Sequence, residues 1–79
     1  MNPPQAVLYT RTGCHLCDEA CTTLLRHGFS VSLIDIDADR ALASRSNDCV
    51  PVVIIGGKVR FRGRINERLL RRLLARLGE

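Results

Sequence analysis

Seventy-nine residues, 46% of them hydrophobic, suit one small folded domain and exclude a disordered chain. No stretch approaches the roughly 18 apolar residues of a membrane-spanning helix, and Met1-Asn2-Pro3-Pro4-Gln5 lacks the basic start of a secretory signal, so a cytoplasmic protein is expected. The net charge is +4, yet the three aromatic residues, Tyr9, Phe29 and Phe61, are too few and too scattered to stack on bases, so nucleic-acid binding is not expected.

Residues 6–10 (AVLYT) read as a buried strand and Thr12-Gly13 as a loop. A helix is expected from about Cys14 to His27, because Cys17, Ala20, Cys21 and Leu24 recur at helical spacing and Gly28 suits the position that ends a helix. Residues 29–36 form a second strand. Asp37 is placed to cap a short helix over residues 38–45, closed by Asn47-Asp48. The β-branched run 50–55 is a third strand with Pro51 at its start, and Gly56-Gly57 signals a tight hairpin into a fourth strand over 58–62. Lys58, Arg60 and Arg62 alternate there with Val59 and Phe61, as in an edge strand with one wet face. Asn66 is a good cap for the last helix, with Ile65 and Leu70 spaced as a hydrophobic staple. Leu69, Leu70, Leu73, Leu74 and Leu77 form that helix's inner side, Arg68, Arg71, Arg72 and Arg76 its outer side, and Gly78 ends it.

The order β-α-β-α-β-β-α predicts a four-stranded mixed α/β sheet with helices on both faces. Its first half is a β-α-β unit, whose strands should be parallel.

Four cysteines in a cytosolic chain point to redox or metal chemistry rather than to a disulfide framework. Cys14-His15-Leu16-Cys17 lies where the first strand feeds a helix. The free N–H groups and positive dipole end there favour an anion, lowering a thiol pKa, and Arg11 adds positive charge. Cys17, one turn on, is positioned to resolve a mixed disulfide on Cys14. His15 is read either as an accessory to the thiolate or as an exposed imidazole, and Cys21 as a small buried side chain. Cys49, just before Val50-Pro51, is a possible third thiol or a packed one. Asp35, Asp37 and Asp39 echo the start of a calcium loop, but Arg40 and Ser46 break that pattern.

The segment LYTRTGCHLCDEA, followed by VPVVIIGGKVRFRGRINERLL, resembles the glutaredoxin-like branch of the thioredoxin-fold superfamily, most of all its short bacterial members of poorly defined function. The likeness runs from Val7 to Leu77. It implies a thioredoxin-like fold and thiol–disulfide oxidoreductase activity with Cys14 as nucleophile and Cys17 as resolving thiol. It also implies a cis peptide bond before Pro51, and substrate or glutathione contacts from Arg11, Val50 and Pro51. The chain departs from the familiar glutaredoxins in carrying His15-Leu16 between the cysteines and Gly63-Arg64-Ile65-Asn66 where those proteins hold the ends of glutathione.

A protein or small-molecule disulfide is therefore the expected substrate. No bound cofactor or metal is expected; glutathione or a thioredoxin-type reductase is the candidate reductant, and the chain should act as a monomer. Two alternatives stay open: a thiolate site for Zn or Cu using Cys14, Cys17 and Cys49 with His15 or Cys21, and a thioredoxin-like interaction module without catalysis.

Overall fold

The computed structural model describes residues 3–38, 40–41 and 50–77. Its elements are β1 (Gln5–Thr10), α1 (His15–Arg26), β2 (Ser30–Asp35), a 3-10 turn (Ile36–Ala38), β3 (Val52–Ile55), β4 (Lys58–Arg62) and α2 (Glu67–Leu77). Of the helix expected over residues 38–45, Ala38 instead ends the 3-10 turn, Arg40 and Ala41 are helical, and residues 39 and 42–45 lie outside the described residues, as do Cys49 and Gly78.

The strands form one sheet in the order β2-β1-β3-β4, with β1 and β2 parallel and the other two pairs antiparallel. Tyr9 pairs with Val52, and Val52 with Arg62. The end of β1, the start of β3 and the end of β4 therefore share one edge, which carries the cysteine pair.

Alternate residues of the strands point to one core. Ala6 and Leu8 of β1, Val53 and Ile55 of β3 and Phe61 of β4 cluster with Ala20 and Leu24 of α1, Leu70 of α2, and Phe29. Both described helices, α1 and α2, feed this cluster and so cover the same face of the sheet. Each fully buried aliphatic side chain here contributes on the order of 1.5–3 kcal/mol.

Local chemistry fixes where the elements stop. At the end of α1, Phe29 N–H donates to the Leu24 carbonyl and Gly28 N–H to that of Leu25, both at 3.0 Å, with Gly28 at φ +87°. This is the paired closure of a glycine-ended helix, and buried Leu24 and Phe29 supply its apolar contact. A Cβ at Gly28 would meet nothing within 4 Å, so Gly28→Ala should cost only the backbone strain of a left-handed residue, about 1–2 kcal/mol by urea denaturation. A cost near zero would mean that the turn relaxes to another conformation.

In the β3–β4 hairpin, Gly56 and Gly57 take φ +64° and +78°, as a two-residue turn requires. The register then jumps from Val53↔Phe61 to Ile54↔Val59, leaving Arg60 as the extra residue of a bulge. At α2, Asn66 Oδ1 accepts from Arg68 and Leu69 N–H at 3.0 and 3.2 Å, the expected cap.

One ion cluster ties the helices together. Glu67 Oε1 accepts from His27 Nε2 at 2.9 Å and from Arg26 Nη2 at 2.6 Å. The Arg26 cation thus sits at the C-terminal end of α1 and the Glu67 anion at the N-terminal end of α2, each favourable for its helix dipole. The His27 hydrogen bond, then Arg26, hold the Glu67 carboxyl below its ordinary 4.5. A lowered folded pKa adds stability that is present above the unfolded value and is lost as the pH falls through the folded one. Glu67→Gln should therefore flatten the loss of stability between about pH 5 and pH 3, read as urea midpoints across that range. An acid profile identical to that of the parent chain would remove Glu67 from the account.

Candidate active site

β1 ends at Thr10, and the chain turns at once. Cys14 N–H donates to the Arg11 carbonyl at 3.1 Å, and Gly13, third in the turn, takes φ +79°. The turn delivers Cys14 as the N-cap of α1, in extended conformation at φ −85° and ψ 106°. Its side chain does what a capping oxygen does elsewhere: Cys14 Sγ accepts the Cys17 N–H at 3.1 Å. The helix thus starts at His15, with the Cys14 sulfur over its unfilled N–H groups. An anionic sulfur is favoured there by both hydrogen bonding and the dipole.

Cys17 is the third residue of α1. Its Cα lies 5.2 Å from that of Cys14, and the two sulfurs are joined as a disulfide. The two differ in access: Cys14 is half-buried, whereas Cys17 is 2% exposed beneath it. Cys14 is thus the more accessible of the two.

The Val50–Pro51 peptide is cis, as the resemblance implied. Pro51 is buried and Val50 half-buried on the same sheet edge as the cysteines. The Pro51 carbonyl accepts Gly63 N–H at 2.9 Å, which fastens the start of β3 to the loop after β4. A groove of about 460 Å³ begins at Leu16, between the cysteines, and follows α1 past Glu19, Ala20 and Thr23, with Arg64 and Ile65 as its other wall.

Arg11 does not stand beside Cys14 as a free charge. Its Nε donates to both carboxylate oxygens of Asp37, at 3.2 and 3.0 Å, and Asp37 N–H in turn donates to Asp35 Oδ1 at 2.9 Å. Parallel register places Thr10 beside Asp35, so the residues just beyond each strand are brought together. His15 is 87% exposed, its Nε2 3.7 Å from Glu19 Oε1 one turn along the helix. Cys21 is a half-buried free thiol packed against the core. Cys49 lies outside the described residues.

The model of the glutaredoxin-like domain (DUF836) matches residues 5–75. The chain belongs to that family. Protein Ne2328 from Nitrosomonas europaea, solved by NMR, is 28% identical, with a TM-score of 0.77 over 92% of this chain and 93% of its own. Protein XcR50 from X. campestris, solved by X-ray crystallography, is 34% identical, with a TM-score of 0.74 over 89% and 95%. A glutaredoxin from Archaeoglobus fulgidus is 26% identical, with a TM-score of 0.62 over 90% and 86%. No protein among the curated ones matches the sequence.

The fold of this glutaredoxin-like chain is thus thioredoxin-like, and its cysteine pair at disulfide distance supports a thiol–disulfide redox role. Among the described residues, no helix is long and apolar enough to cross a membrane, and no three His, Cys, Asp or Glu side chains gather as a metal-holding group.

Proposed function

We propose that the chain is a dithiol oxidoreductase in which Cys14 attacks substrate disulfides and Cys17 resolves the product. The observation that carries this reading is the cap geometry: Cys14 Sγ accepts Cys17 N–H at the start of α1, half-exposed, with Cys17 buried behind it. In the reduced form the Cys14 thiolate attacks one sulfur of the substrate disulfide. A Cys14–substrate disulfide forms, and the other substrate sulfur leaves as a thiolate that takes up a proton. Cys17, once deprotonated, attacks Cys14 Sγ and releases the second substrate thiolate. The substrate has gained two electrons and the protein holds a Cys14–Cys17 disulfide. Two thiols, from glutathione or from a protein dithiol, return it to the reduced state.

Val50 and Pro51 form the wall against which a disulfide-bearing segment lies, with the Val50 backbone as its hydrogen-bonding partner. Arg11, held by Asp37, orients toward a substrate carboxylate only as far as that ion pair allows.

The testing experiment is a redox titration of the purified chain against glutathione, with mass spectrometry of the alkylated thiols. The expected result is a reversible Cys14–Cys17 disulfide or a glutathione adduct on Cys14. Thiols that stay reduced at every poise would sink the reading.

A further inference from the structure

Charge is distributed unevenly along the chain. Residues 58–77 carry eight of its twelve basic residues and one of its eight acidic ones, Glu67, whose carboxylate is already taken by Arg26 and His27. The same stretch forms β4 and α2, and between them lies a groove of about 520 Å³. Its apolar surface comes from Phe61, Leu69 and Leu73, and its rim from Arg60, Arg72 and Arg76. Leu69 is 50% exposed, although Leu70 beside it is fully buried. Among the described residues, no carboxylate pairs with any of the three rim guanidiniums.

We infer that this groove docks an acidic, leucine-bearing segment of a partner protein: its aliphatic side chains enter the Phe61–Leu69–Leu73 trough while its carboxylates meet Arg60, Arg72 and Arg76. The chemistry favours this occupant over other polyanions. Guanidinium forks match carboxylates in two-point fashion, and the volume is that of a ligand-sized cleft. Single-stranded nucleic acid would want exposed aromatic faces beside the charges, and Phe61 here is buried. A lipid surface would want a broad apolar face free to insert, but Leu70 and Leu74 of α2 are packed against the core. Position adds meaning. β4 ends at Arg62, whose register partner Val52 follows Pro51, so the basic band starts at the edge that carries the disulfide and runs away from it.

The test is fluorescence anisotropy with a labelled peptide of repeated Glu-Glu-Leu triplets, compared with polyglutamate of equal length, a single-stranded oligonucleotide and phosphatidylglycerol vesicles. The triplet peptide should bind about fivefold or more tighter than polyglutamate, because only it fills the trough. Arg72→Glu with Arg76→Glu should weaken it by about tenfold or more, and Leu69→Ser by several fold, with unchanged circular dichroism. If the double variant proves poorly folded, Arg60→Gln on the strand wall takes its place and should also weaken binding. The proposal is overturned if the triplet peptide fails to bind, if it binds no tighter than polyglutamate or ignores the substitutions, or if the oligonucleotide or the vesicles bind more tightly. Binding is read without redox chemistry, and a Cys14→Ser, Cys17→Ser variant should bind as the parent does, so failure here and failure of the dithiol reading are separable.

Discussion

Cys14→Ser is expected to remove disulfide reductase activity by about a thousandfold or more, since no other half-exposed sulfur caps a helix in the described chain. A sulfur that accepts Cys17 N–H gains a hydrogen bond and the dipole of α1, both of which strengthen as its negative charge grows. A serine at the same place would keep the cap and lose the nucleophile, so the fold should survive while exchange stops. Cys17→Ser should behave differently. The first exchange proceeds, resolution does not, and the chain accumulates joined to its substrate through Cys14. Assaying both variants with a peptide disulfide, and weighing the intact protein by mass spectrometry, separates the two roles. Should Cys14→Ser stay active while Cys17→Ser does not, the order of the two thiols would be reversed.

Leu70→Ala should cost about 2–5 kcal/mol in urea denaturation, a large share of a total that for small domains is about 5–15 kcal/mol. Leu70 is fully buried, whereas Leu73 and Leu74 are only partly so, and it is the α2 residue buried with Ala20, Leu24 and Phe61 in the core. Its backbone N–H also closes the first turn on the Asn66 carbonyl at 3.0 Å. Truncation leaves a cavity walled by strands and by a second helix, and neither can collapse into it without breaking the sheet. Leu70→Met, which keeps the volume, should cost less than about 1.5 kcal/mol. Equal costs for the two would point to something other than lost packing.

What could be read from the sequence was whatever is local. Gly28 after a helical run, Asn66 three residues before Leu69, and Gly56-Gly57 between β-branched and alternating segments each act over a few residues, and each fell where expected. The Cys14–Cys17 pair at a strand-to-helix turn was legible for the same reason. The cis bond before Pro51 was not local; it came from the resemblance to a family. The pairs that escaped are those created by topology. Arg11 meets Asp37, and Glu67 meets both Arg26 and His27, only because of which element ends the sheet and helices bring together. The bulge at Arg60 was hidden by an alternation that looks regular in one dimension.

The strand order also bears on how the chain is made. A ribosome delivers β1, α1 and β2 well before the hairpin, yet β1 is the strand that β3 must pair with on its second side. Until β3 emerges, the nascent β-α-β half presents an open hydrogen-bonding edge along residues 6–9, and Leu8 lacks its cross-strand neighbour Val53. Such an edge invites pairing with another chain. The cysteines arrive in that early half, and Pro51, at the same end of the sheet, arrives late, so the cap of α1 at Cys14 can form before β3 is in place.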